Sequence, residues 1–172
     1  MVKRKPSNAD LMAVAAPRVH EAASLLDYVI YERGLELGAV KPDANSVDAK
    51  ALYTLIVQAM TVDTSHRGIR PVVPPELTLS VDTQALAHVM RTTALHFRTD
   101  HPLSITVGRA GDRLRIQCKS AAPKAIEHGE ELREKLEKSL AILGAELDLD
   151  PLTPSSMSVL LPLPQKTRAP KR

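Results

Sequence analysis

The chain is poor in aromatic residues, in cysteine and in long apolar runs. Aromatic residues make up 2% of its 172 positions and comprise Tyr28, Tyr31, Tyr53 and Phe97. A core of this composition must be aliphatic, and binding of single-stranded nucleic acid by base stacking on aromatic side chains is nearly excluded. The single cysteine, Cys118, cannot form an intramolecular disulfide, and we expect it to be a buried, unreactive thiol.

The sequence also lacks a run of about 18 apolar residues and a signal-peptide pattern. We therefore expect a cytoplasmic protein that makes no use of a membrane. Its hydrophobic content of 44% and charged content of 25% are typical of a soluble folded protein. The length suits one globular domain with an appendage.

The net charge of +3 comes from the two ends of the chain. Without seven terminal basic residues, 16 basic residues face 20 acidic ones, which leaves −4 for the body. We expect residues 1–6 and 165–172 to be disordered basic tails that mainly aid solubility. A DNA-associated regulator that binds through these tails is a second alternative function, but no basic helix supports it. The seven residues are Lys3, Arg4, Lys5, Lys166, Arg168, Lys171 and Arg172.

Apolar residues recur at three- and four-residue spacing in the first 37 residues. This pattern predicts a long helix and linker over residues 7–40. Pro17 should kink or break the helix, so that it begins properly at Arg18. The apolar stripe is either the seam of a homodimer or a face docked on the rest of the chain. As a seam it would comprise Leu11, Ala15, Ala22, Leu26 and Val29.

The remainder, residues 45–164, alternates helical and strand patterns. It predicts an α+β two-layer sandwich, with a mixed sheet of about five strands against three helices. Asn45 and Asp48 resemble a capping box, Asp82 caps a further helix, and Gly144 ends the last one. The predicted helices cover residues 47–64, 82–98 and 130–143, and the strands cover 69–73, 77–81, 103–108, 114–119, 146–149 and 158–163.

The order of these patterns resembles the C-terminal region of bacterial sensor histidine kinases. Leu25-Leu26-Asp27 resembles the end of their second dimerisation helix, and Arg67-Gly68-Ile69 resembles the first helix–strand junction of their catalytic domain. Leu143-Gly144-Ala145 is similar to the turn after their last helix. The resemblance covers about residues 25–164. It implies an ATPase domain of the GHKL type over residues 45–164, preceded by a truncated dimerisation helix.

The nucleotide-binding motifs of that family are mostly absent. The two asparagine positions of the family's N box fall on Thr92 and His96, which are poor Mg²⁺ ligands. The aspartate that reads adenine falls on Ser120, and the glycines around it are missing. At the second glycine-rich box the chain has Gly129 followed by two glutamates, which repel phosphate. We therefore expect no cofactor and no metal; ATP and Mg²⁺ would bind only if the altered pocket formed by Thr92, His96 and Ser120 still accepts them.

His20 and Glu21 form the other chemically suggestive pair. In histidine kinases and phosphotransferases, a His followed by an acidic residue is the phosphoacceptor, with the carboxylate as base. Only about 27 positions separate His20 from Val47, whereas a helical hairpin needs a returning helix of ~20–25 residues and a turn. A histidine phosphotransferase or divergent kinase that uses this pair is therefore the alternative function.

Because the chain resembles histidine kinases but lacks most of their nucleotide-binding motifs, we favour a non-catalytic regulatory or adaptor protein of bacterial two-component signalling. Its partner would be a histidine kinase or a response regulator, reached through the long helix and the old ATP face. Nucleic acid is not favoured as a partner.

Overall fold

The structure is a computed structural model. It describes residues 8–61, 69–97, 101–122, 126, 128–149 and 155–163, without the side chains of residues 8–14, 17 and 20. The basic tails therefore lie outside the described residues. The chain divides into two compact units, Met1–Ala39 and Val40–Arg172.

The first unit consists of helix α1, Asn8–Glu36, which is continuous over 29 residues. The prediction that the helix breaks at Pro17 and begins at Arg18 is wrong, while a kink at Pro17 stays a prediction. Proline removes one backbone hydrogen bond and crowds the carbonyl one turn earlier, at a cost of about 3 kcal/mol, but the turns on both sides keep their own hydrogen bonds. Just after the helix, Gly38 has a φ of +66°, which lets the chain turn, and the amide of Ala39 donates to the carbonyl of Gly34 over 2.9 Å.

The second unit opens with a strand that the sequence analysis missed. Strand β1, Ala44–Asp48, pairs antiparallel with β2, Thr78–Asp82. Helix α2, Ala49–Thr61, follows at once. The amide of Ala51 donates to Asp48 Oδ1 over 2.7 Å, so the cap of α2 is Asp48 and the predicted cap at Asn45 is wrong.

Helix α3, Thr83–His96, begins at the predicted cap residue. Asp82 Oδ1 accepts a hydrogen bond from the amide of Ala85 over 2.9 Å, and Asp82 Oδ2 accepts one from the amide of Asp43 over 2.8 Å. One buried carboxylate thus caps α3 and also fixes the start of β1 against the end of β2.

A four-stranded antiparallel sheet with the order β3-β4-β6-β5 forms the second layer. Strands β3, Leu103–Ala110, and β4, Arg113–Ser120, form the predicted hairpin around Gly111, whose φ is +66°. Strand β6, Ser156–Pro162, pairs with β4 on one side and with β5, Glu146–Leu149, on the other. Among the described residues, β5 is therefore an edge strand.

The predicted strand over residues 69–73 is reduced to a single bridge. Val72 pairs in parallel with Thr106: its amide donates to Ile105 O over 3.0 Å, and its carbonyl accepts from the amide of Val107 over 2.8 Å. The α+β class with a sheet against helices is confirmed. The prediction of one five-stranded sheet is replaced by four strands with this parallel bridge, plus the separate β1–β2 pair.

The core of the second unit is aliphatic, as the composition requires. Helix α4, Gly129–Leu143, contributes buried leucines to it. Cys118 is fully buried on β4, and burial raises the pKa of its thiol to about 12, which keeps the thiol protonated and unreactive. The largest fully buried side chains are those of Leu52, Ile56, Met60, Leu79, Leu86, Met90, Ile105, Leu114, Ile116, Leu132, Leu136 and Met157.

The left-handed turn at Gly144, directly after α4, can be tested by substitution. Gly144 has a φ of +60°, and a Cβ added there would lie 3.6 Å from Pro162 Cγ, an ordinary contact. Gly144→Ala should therefore lower the free energy of unfolding by about 1 kcal/mol, because of backbone strain alone. Gly129→Ala, at the start of α4 with open space around its Cβ, should be neutral or stabilising. Urea unfolding of both variants measures this, and equal losses would contradict the left-handed turn.

Candidate functional site

Three residues occupy the positions of the family's nucleotide-binding motifs, and two of them lie on α3. Thr92 is 1% exposed, and His96 is half-buried one turn further on. His96 Nδ1 lies 2.9 Å from the backbone carbonyl oxygen of Thr92, within hydrogen-bond distance. The imidazole is thus engaged with the backbone of its own helix.

The third residue, Ser120, lies at the end of β4 and is 3% exposed. Its Oγ accepts a hydrogen bond from the amide of Ala122 over 3.2 Å, and its own amide donates to the carbonyl of Ser155 over 2.8 Å. The hydroxyl therefore shapes the turn that follows the strand. A serine hydroxyl in this role does not supply the negative charge that an aspartate would supply.

Helix α3 is enclosed along its middle. All seven residues from His88 to Ala94 are buried. Seven consecutive residues complete almost two helical turns and point in every direction around the axis. The middle of α3 therefore exposes little side-chain surface to solvent.

A buried polar contact joins α3 to α4. His88 Nδ1 lies 2.9 Å from Ser139 Oγ, and both residues are buried. Burial, and secondarily the charge of Arg91, lowers the pKa of His88 to about 4, so the imidazole is neutral at pH 7. The sequence analysis did not single out this pair. Its signal is Ser139 itself, a hydroxyl within the apolar stripe that Leu132, Leu136, Leu140 and Leu143 form along α4.

The predicted phosphoacceptor pair lies within the unbroken α1. Glu21 is exposed, and the side chain of His20 is not among those described. The assignment of His20 as acceptor and Glu21 as base therefore stays a prediction.

The apolar stripe of α1 is largely open. Six of the nine large apolar side chains that are exposed in the described part of the chain lie between Val19 and Leu37. Of the predicted seam, Ala15 and Ala22 are exposed, Leu26 is 59% exposed and Val29 is half exposed. The side chain of Leu11 falls outside the description.

In the part of the chain that the structure describes, no group of three or more His, Cys, Asp and Glu side chains lies close enough together to hold a metal ion. Over the same residues, no helix combines the length and the apolar character needed to cross a bilayer.

The comparison with solved structures identifies the fold. The chain is similar to the histidine kinase AdeS of Acinetobacter baumannii, with a TM-score of 0.60 and 11% identity over 93% of this chain and 87% of that one. It is similar to the catalytic domain of the histidine kinase ThkA, with a TM-score of 0.51 and 11% identity over 70% of this chain and 97% of that one. Full-length ShkA in complex with AMPPNP also matches, with a TM-score of 0.51 and 17% identity over 94% of this chain and 40% of that one.

No family model and no curated protein matches the sequence. The similarity to the solved structures shows that the chain has the fold of the GHKL-type ATP-binding domain of histidine kinases. At identities of 11–17%, the comparison establishes the fold and assigns no activity.

Proposed function

We propose that this chain is a non-catalytic regulatory or adaptor protein of bacterial two-component signalling. It keeps the histidine-kinase ATPase fold and no longer binds nucleotide. The proposal is supported by the burial and hydrogen bonding of the three residues at the motif positions. Thr92 and Ser120 are buried, and Ser120 and His96 make hydrogen bonds to nearby backbone.

The exposed stripe of α1 supports a role in protein binding. Exposed leucine, isoleucine and valine side chains at helical spacing are the usual means by which one helix recognises another. The partner would be a histidine kinase or a response regulator, and a second copy of the chain would use the same face. Neither role requires ATP.

The proposal is tested by following phosphoryl transfer. The purified full chain is added to histidine kinase and response regulator pairs of its source organism with radiolabelled ATP. We expect it to change the rate of transfer in one pair while it takes up no label. Absence of any change across all pairs would contradict an adaptor role.

The dimer seam gives a specific prediction. Leu26→Glu places a charge at the centre of the stripe, where burial against a second helix would cost several kcal/mol, so the variant should be monomeric. Light scattering after size exclusion measures the mass of wild type and variant. Glu21→Gln, a substitution on the same helix outside the seam, is the control. A Leu26→Glu protein with the same dimeric mass as wild type would rule out this seam.

A histidine phosphotransferase remains the second candidate, because the sequence pair His20-Glu21 lies within one long helix. It predicts acid-labile label on the chain after mixing with a phosphorylated response regulator, and loss of that label in His20→Ala. Wild type without label, or equal label on His20→Ala, would eliminate it.

A further inference from the structure

An open groove of about 620 Å³ runs between α4 and the edge strand β5. Its charged wall comes from the outer face of α4, and its apolar floor comes from the end of α4 and from β5. This groove lies apart from Thr92, His96 and Ser120. The lining residues are Glu130, Arg133, Glu134, Glu137, Leu140, Ala141, Ala145 and Leu147.

The charge of the groove is predominantly negative. Three carboxylates, Glu130, Glu134 and Glu137, line it against one guanidinium, Arg133. Neither Lys135, which pairs with Glu131 over 2.8 Å, nor Lys138 is among the lining residues. An acidic wall above an apolar floor suits a segment with several cations on aliphatic stems, which can rest on the floor while their charged ends meet the carboxylates.

The chain itself supplies such a segment beside the groove. Strand β6 ends at Pro162, whose Cγ lies close to Gly144, the residue before the lining residue Ala145. The described residues stop at Leu163. Nine residues follow, and four of them are basic: Lys166, Arg168, Lys171 and Arg172.

The length of this segment is sufficient. Nine residues can reach about 30 Å, whereas the eleven positions from Ala141 back to Glu130 along α4 cover only about 17 Å. We propose that the α4/β5 groove is a binding surface for the chain's own basic C-terminal segment, residues 164–172. This proposal does not depend on the signalling function.

Zero-length crosslinking of the full chain with a carbodiimide tests the proposal, because the reagent joins a lysine to a carboxylate only where the two are in contact. Mass spectrometry should find Lys166 and Lys171 joined to Glu130, Glu134 or Glu137. The Glu131–Lys135 pair provides an internal reference crosslink. A mixture of ¹⁵N-labelled and unlabelled protein distinguishes crosslinks within one chain from those between two copies.

Matched variants identify the cause of the crosslinks. Arg168→Gln with Arg172→Gln keeps both reporter lysines, and it should lower their crosslinks to the groove about fivefold, the scale expected when two exposed ion pairs are lost. Glu134→Gln should lower the crosslinks at Glu130 and Glu137, while Glu131→Gln, on the same helix outside the groove, should leave them unchanged. The yield should also fall from about 0.1 M to about 1 M salt, as the Debye length shortens from about 10 to about 3 Å.

Crosslinks within one chain that follow this pattern support the proposal. It is overturned if Lys166 and Lys171 form no crosslinks to the groove while the reference pair does. It is also overturned if the crosslinks occur only between two copies, or if Glu131→Gln reduces them as much as Glu134→Gln does.

Discussion

Leu86→Ala should lower the free energy of unfolding by about 2–5 kcal/mol, the range for removing a fully buried leucine side chain from a well-packed core. Leu86 is 0% exposed and lies in the first half of α3. Leu95, nine residues later on the same helix, is 52% exposed. Leu95→Ala should therefore cost about 1 kcal/mol or less, because about half of the side chain is already in water and alanine favours helix.

Urea unfolding at neutral pH, followed by circular dichroism, measures both variants. The difference between them is the informative quantity, since both remove the same atoms from the same helix. Comparable losses at the two positions would contradict the orientation of α3, and with it the enclosure of Thr92.

Stability should rise with pH between about 4 and about 6.5, and His88 should be a main cause. Its pKa is lowered from 6.5 to about 4 by burial and by Arg91. Within this window the unfolded chain binds a proton that the folded chain excludes. This contribution to the free energy of unfolding is fully present above pH 6.5. It is lost progressively as the pH falls from 6.5 to below 4, and the total loss is about 3 kcal/mol.

The His88→Gln variant isolates this effect. A neutral amide does not titrate, so the variant should lose this part of the pH dependence while the contribution of the carboxylates remains. His96→Gln, at a half-buried position on the same helix, is the matched control. Unfolding free energies at several pH values between 4 and 7 provide the measurement, and parallel profiles of wild type and His88→Gln would refute the buried neutral imidazole.

The elements with strong local signals could be predicted from the sequence. The Asp82 cap, the turn at Gly111 and the end of α4 at Gly144 each depend on neighbouring residues, and the structure places all three as expected. Strand β5 matches its predicted range, 146–149. Residues that cap helices or form turns therefore made it possible to predict where these elements of the second unit begin and end.

Long-range pairing could not be predicted in the same way. Strand β1 has one buried apolar residue, Val47, and owes its conformation to β2, more than 30 residues later. The sequence likewise placed Thr92 and His96 four residues apart in one predicted helix, but it could not show that the middle of α3 is enclosed. The groove beside α4 was also missed, because its glutamates have the pattern of an ordinary solvated face.

We propose that the ATPase fold is kept while nucleotide binding is lost. Isothermal titration calorimetry of the full chain with ATP, with and without Mg²⁺, measures this loss. Protein concentrations must be high enough to detect a Kd of about 1 mM, which corresponds to about −4 kcal/mol. We expect no heat beyond dilution under either condition. Saturable binding of ATP that strengthens with Mg²⁺ would contradict it, and the chain would then have to be studied as a kinase or ATPase.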